Sequence, residues 1–179
     1  MYIPVILGTA REGRQSEKAA RYVLTEFQKT GTETELLDVR DYRLPATDAS
    51  GESETAQRWI EKITKASGYI IVSPEYNRGY PGELKMALDM AYSEYARKPV
   101  GICGVSSGAM GGARAVEQLR LLAVAFGMVP LQQALYFPNI QDAFLESGET
   151  KDKEYAKRAQ KLFEELLWYA EALKKARTA

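Results

Sequence analysis

Short apolar runs alternate with stretches in which apolar residues recur every three or four positions, and this alternation leaves the chain few possible architectures. Residues 2–7, 34–39, 69–73, 99–105 and 130–137 have the length and content of buried strands. Helical stripes fall between and after them. Ala19, Ala20, Val23, Leu24 and Phe27 mark a helix over 16–29, stopped at Gly31. Ala56, Trp59, Ile60 and Ile63 mark the next, stopped at Gly68, and Leu84, Ala87, Leu88, Ala91 and Tyr95 the third. Val116, Leu119, Leu122 and Phe126 precede Gly127, and the last stripe runs from Tyr155 through Ala159, Leu162, Leu166 and Ala170 to Leu173. Strand–helix alternation folds through right-handed crossovers into a parallel sheet covered on both faces. With 179 residues and no repeat or linker, residues 1–179 are expected to form a single domain. Residues 40–54 and 139–151 read as polar connections.

Ligands of such sheets bind beyond the carboxyl ends of the strands, where the strand order reverses. Three loops share that edge: GTAREGRQS (8–16), SPEYNRGYPG (73–82) and SSGAMGG (106–112). The first joins a strand to a helix, where unpaired N–H groups attract phosphate. Thr9 and Ser16 add hydroxyls, and Arg11 and Arg14 add charge that Glu12 partly offsets. Gly8 and Gly13 have the spacing of a phosphate-binding Walker loop, but Arg14-Gln15 stands where Lys followed by Ser or Thr is required. The loop therefore reads either as a cradle for a phosphate held without metal or as an ordinary strand–helix turn. The glycines of SSGAMGG read either as a shelf for a flat surface or as a helix-capping turn. Pro74 fixes its backbone, Tyr76 suits the cover of a ring, and Asn77 suits an edge bearing both C=O and N–H. Glu75 reads as a solvated loop carboxylate. Convergence of these loops suggests an elongated ligand with an anionic end and a flat end.

The sequence has no histidine, which excludes Ser-His-Asp and Cys-His triads and most catalytic zinc sites. Lys plus Arg and Asp plus Glu number 24 each, so no strong field draws the chain to nucleic acid or a membrane surface. Cys103, within PVGICGV, is the one cysteine; it reads as a packing thiol and precludes an internal disulfide framework. A cytoplasmic location is expected, since Met1 leads into a strand-like run without a charged leader. No apolar segment reaches the roughly 18 residues of a membrane span. Trp59 reads as core. Tyr92, Tyr95, Trp168 and Tyr169 read either as cover for a subunit contact or as core and scattered surface.

Taken in order, GTAREGRQS, ELLDVRDYRLP, SPEYNRGYPGELKMALD and SSGAMGG resemble the NADPH-dependent FMN reductase family, flavodoxin-like enzymes that include quinone, azo-dye and chromate reductases. The likeness runs from residue 1 to about 137, and PEYN followed by PG and LK is its most specific part. It implies an α/β flavodoxin-like three-layer sandwich whose five-stranded parallel sheet has the order 2-1-3-4-5. It implies FMN, with Thr9, Arg11, Arg14, Gln15 and Ser16 on the phosphate. Pro74, Glu75, Tyr76 and Asn77 would border the isoalloxazine, with Ser107, Gly108 and Gly111 at its other side. NADPH or NADH would pass hydride to flavin N5, and a small-molecule acceptor (quinone, azo compound, metal oxyanion or free flavin) would receive it. Solvent can supply the protons, and no catalytic acid or base is assigned. The family's habit implies a homodimer or homotetramer. The choice between NADPH and NADH stays open, since Arg11 or Arg14 could meet a 2′-phosphate but both have the FMN phosphate to serve. Two departures stand out: Thr9 replaces the usual serine, and Met86 stands where asparagine is common. A flavodoxin-like electron carrier is the alternative reading, though such carriers are strongly acidic and this chain is neutral. A P-loop-like hydrolase is opposed by the missing lysine.

Overall fold

A computed structural model of the protein describes residues 1–46 and 50–178. Strands β1 (Val5–Leu7), β2 (Leu36–Asp38), β3 (Tyr69–Pro74), β4 (Pro99–Val105) and β5 (Val129–Phe137) form one parallel sheet in the order β2-β1-β3-β4-β5, as expected. The main helices are α1 (Ser16–Gln28), α2 (Glu54–Lys65), α3 (Gly82–Leu88), α4 (Ala113–Ala125) and α5 (Glu154–Thr178). Successive side chains of a strand point to opposite faces, and here both faces are dry. Ile6, Ile71, Val100 and Ile102 join the layer built on α2, α3 and α4, while Val5, Leu7, Ile70, Val72 and Cys103 join that on α1 and α5. This is the three-layer sandwich, with Trp59 and Cys103 wholly buried.

Four elements differ from the sequence reading. The first two strands are shorter than 2–7 and 34–39: Tyr2 makes only an isolated bridge to Glu33, and Pro4 has no N–H with which to continue the ladder. The segment 40–54 begins with a 3-10 turn, Val39–Tyr42, and residues 47–49 of it lie outside the described residues. The third stripe is not one helix. α3 ends at Leu88, and a separate 3-10 turn covers Ser93–Tyr95. The Glu94 carboxylate accepts the Tyr92 N–H at 2.9 Å, a local bond that competes with helix continuation. The break lets Tyr95 enter the core, where its hydroxyl accepts from Trp59 Nε1 at 2.9 Å and its ring lies 5.6 Å from that of Tyr69.

Below the sheet's amino edge, Lys98 closes the end of α2. Its ammonium donates to the carbonyls of Ile63 and Thr64 in the last helical turn at 2.7 and 3.0 Å, as basic side chains commonly do at helix carboxyl ends. Burial, with the charge of Arg177 added, pushes the Lys98 amine down to about 8. Between that value and the ordinary ~10.4 the unfolded chain binds a proton that the folded chain does not, so stability rises with pH across this window. Wild-type protein should therefore gain melting temperature relative to Lys98→Met as pH is raised from about 7.5 to about 10. A difference that stays flat in thermal denaturation would show that Lys98 keeps its proton on folding. Among the described residues, no helix is long and apolar enough to cross a membrane.

Candidate functional site

Strand β1 lies between β2 and β3, so the chain leaves β1 for one face of the sheet and β3 for the other. The crevice between those departures is where the three loops meet. A cleft of about 340 Å3 is walled by Arg11–Ser16 of the first loop, Pro74–Tyr76 of the second and Val105–Ser107 of the third, with Ile140 behind. That volume lies within the ~300–1,000 Å3 typical of small-molecule sites. Arg11, Arg14, Gln15, Ser16, Pro74, Glu75, Tyr76 and Ser107 are thus brought together.

Gln15 precedes α1 without a side-chain cap, and among the described residues the backbone N–H groups of Gln15 and Ser16 have no acceptor. Ser16 is 2% exposed, and its hydroxyl has no hydrogen-bond partner. An orphaned hydroxyl beside free amides at a helix start has the donor chemistry that suits an anion, and buried polar groups are otherwise almost always paired. Arg11 is exposed, with its guanidinium carbon 5.7 Å from the centroid of the Tyr76 ring. Thr9, fully buried, does not line the cleft; its hydroxyl bonds the Tyr76 hydroxyl at 3.1 Å and accepts the Arg11 N–H at 3.3 Å. It fastens the first loop to the second.

Arg14 is also turned inward. Its Nη1 donates to the Thr9 carbonyl and, at 2.7 Å, to Asp38, its Nη2 donates to Asp38, and its Nε donates to Glu17 at 3.2 Å. Burial weakens the guanidinium's hold on its proton, but Asp38 and Glu17 outweigh this and leave its pKa raised. Burial likewise raises the Asp38 carboxyl, and the hydrogen bonds from Arg14 and the Arg40 N–H overcome it, holding the group below the usual carboxylate range. Asp38 therefore stabilises the fold above its ordinary pKa of about 3.9 and loses that contribution as pH falls through its depressed value.

In the second loop, Glu75 is not the solvated carboxylate expected from sequence. It accepts from the Arg114 backbone N–H at 3.0 Å and from Arg114 Nη1 at 3.2 Å, tying the loop to the first turn of α4. Tyr76 and Gly79 exchange backbone hydrogen bonds of 2.8 and 2.9 Å across Asn77 (φ 50°) and Arg78 (φ 68°). Left-handed φ at both central positions makes a type I′ turn, for which Asn-Gly is favoured. Asn77 is thus a turn tip and does not line the cleft. Arg78 occupies the position glycine fills without strain, so Arg78→Gly should be neutral or stabilise by up to about 1 kcal/mol. A melting temperature lowered by that change would assign the Arg78 side chain a stabilising contact.

In the third loop, Ser106 and Ser107 reach the cleft, whereas Gly108 and Gly111 do not. The Gly108 carbonyl accepts from the Asn139 N–H at 3.2 Å and from the Ser106 hydroxyl at 2.9 Å. Gly111 is packed under the end of β5, where a Cβ would lie 2.9 Å from that of Tyr136. Sequence reasoning missed Ser106, Ile140 and, above all, Asp38. The signal for Asp38 was topological: it is the last residue of β2, in register with Leu7 immediately before the first loop.

A Pseudomonas putida quinone reductase is 30% identical over 159 residues, 84% of this chain and 85% of its own. A Schizosaccharomyces pombe NAD(P)H-dependent FMN reductase is 34% identical over 148 residues, 76% and 73% of the two chains. A Bacillus sp. NADPH azoreductase is 31% identical over 155 residues, 81% and 82%. The solved structure of the flavoenzyme FerB, an NAD(P)H:(acceptor) oxidoreductase from Paracoccus denitrificans, superposes with a TM-score of 0.76 at 24% identity over 97% of each chain. The family model for NADPH-dependent FMN reductase matches residues 1–142. The strand order, the three-loop cleft at its switch point and these likenesses agree: the chain belongs to the NADPH-dependent FMN reductase family, enzymes that use FMN and a nicotinamide donor.

Proposed function

We propose that the rim cleft holds FMN, with the phosphate on the start of α1 and the isoalloxazine between the Tyr76 loop and Ser106–Ser107. The observation that carries this reading is the buried, partnerless Ser16 hydroxyl beside the free amides of Gln15 and Ser16. These donors, with exposed Arg11, suit a phosphate dianion. Bound flavin supplies the redox chemistry, taking up hydride and giving it to an acceptor. The protein's part is to hold and orient. Pro74 and the Glu75–Arg114 tie fix the second loop, the Thr9–Tyr76 bond fixes the first to it, and Ser106 and Ser107 close the far wall. Thr9, Asn77, Gly108 and Gly111 shape the site without lining it.

NADPH or NADH is the donor in this reading, and the acceptor is a small redox molecule of the quinone or azo class, as the relatives' names suggest. A homodimer or homotetramer is proposed, with Leu121, Val124 and Tyr92 (74, 63 and 69% exposed) supplying apolar surface on and beside α4; a monomeric mass in sedimentation would refute it. The buried single thiol is compatible with a reducing, cytoplasmic setting. To test the function, apoprotein is loaded with FMN and mixed anaerobically with NADPH or NADH. Bleaching of the flavin band, restored by quinone, is expected. A loaded protein that stays oxidised would favour an electron carrier.

A further inference from the structure

The guanidinium of Arg14 has five N–H donors in a rigid fork, and all are directed at protein acceptors: Glu17, Asp38 and the Thr9 carbonyl. It sits on the first loop of the cleft yet has no donor to spare, and its charge is met by Asp38 and by Glu17, which Arg21 shares. Asp38 also accepts the Arg40 N–H at 3.0 Å, and Arg40 Nη2 in turn donates to the Arg11 carbonyl at 3.0 Å. The segment following β2 therefore grips the loop following β1 at two carbonyls, Thr9 through Arg14 and Arg11 through Arg40. A trans peptide sets its C=O and N–H on opposite sides, so holding those carbonyls fixes which way the amides of Ala10 and Glu12 face.

We propose that Asp38 is a positioning residue for the phosphate end of the cleft, acting through Arg14, and that Arg14 braces the loop without touching the phosphate. The inference rests on the reading that the cleft holds FMN. It reassigns Arg14 from ligand to brace, and it gives a function to the acidic residue at the end of β2. It also leaves Arg11 as the arginine of this loop free to meet an anion.

The two roles for Arg14 predict opposite signs for one substitution. If Arg14 were a phosphate ligand, Asp38→Asn would free its donors and unmask its charge, and FMN would bind as well or better. If Arg14 is a brace, Asp38→Asn loosens the loop and weakens FMN about tenfold, the worth of one charge-assisted hydrogen bond. Riboflavin, which lacks the phosphate, serves as the internal control. Dissociation constants of both flavins are measured by fluorescence quenching on apoprotein of wild type, Asp38→Asn and Asp38→Glu. The proposal expects both variants to lose FMN affinity while riboflavin affinity changes less than about twofold. Unchanged or tighter FMN binding in Asp38→Asn overturns it, as does an equal loss of both flavins, which would mark a purely structural role. Asp38→Glu keeps the charge but not the fork geometry, and carries the test if Asp38→Asn does not fold; FMN affinity equal to wild type there overturns the proposal. Wild-type protein that does not prefer FMN to riboflavin would instead overturn the reading of the cleft itself.

Discussion

Ser16→Asp is expected to weaken FMN binding by roughly 100-fold while leaving riboflavin binding nearly unchanged. Ser16 opens α1 with a buried hydroxyl that has no partner, next to two amides in the same condition. A carboxylate there satisfies the amides internally, since it becomes an N-terminal helix anion. It also sets a negative charge against the phosphate, and like charges brought together at an interface cost several kcal/mol. At about 1.4 kcal/mol per tenfold, two decades follow. Ser16→Asp should melt near the wild-type temperature, because a carboxylate at the first helical position meets the favourable end of the α1 dipole. Titration calorimetry with the two flavins separates the effects. Equal loss of both flavins would place the phosphate elsewhere.

Gly112→Ala is expected to be the most damaging methyl group that can be added near the site. Gly112 caps the start of α4 at φ 83°, a region that costs an L-residue about 1–2 kcal/mol. Its Cβ would lie 2.6 Å from the Val105 nitrogen and 3.0 Å from the Val105 oxygen, backbone atoms of β4 that have nowhere to go. Overpacking of this kind adds about 1–3 kcal/mol, and at about 2–4 °C per kcal/mol for a chain of this size the melting temperature should fall by roughly 10 °C. Because Val105 is a wall of the cleft, FMN affinity should fall with it. A melting temperature within about 2 °C of wild type would mean that the loop does not lie against β4 as described.

That glycine shows where sequence reasoning stopped short. SSGAMGG reads as a surface offered to a flat ligand or as a turn, and the fold uses Gly111 and Gly112 chiefly for the close approach of the loop to β4 and β5. Strand–helix alternation and a sheet covered on both faces were legible because apolar runs and period-3.6 stripes each carry a burial demand, whereas the strand order followed only from the family resemblance. The third helical stripe misled because Tyr95 keeps the helical spacing while entering the core from a separate turn. Periodicity registers burial, not chain continuity. The site itself was legible as three loops on one edge. The roles within it were not, because whether an arginine faces a ligand or an acid depends on which strand ends beside it. Arg11 and Arg14 are chemically identical in the sequence; the register of β1 with β2 gives Asp38 to one and leaves the other exposed. Glu75 was misjudged for the same reason, since its partner Arg114 belongs to a helix 39 positions away.

Whether these loops form one flavin site is decided by a crystal structure of the protein grown with FMN. The phosphate is expected within hydrogen-bonding distance of the Ser16 hydroxyl and the Gln15 and Ser16 amides, with the ring system between Tyr76 and Ser106–Ser107. Flavin seated instead in the larger groove of about 750 Å3 lined by Lys18, Tyr22, Lys29 and Lys153, beside α1 and away from the sheet's switch point, would contradict it.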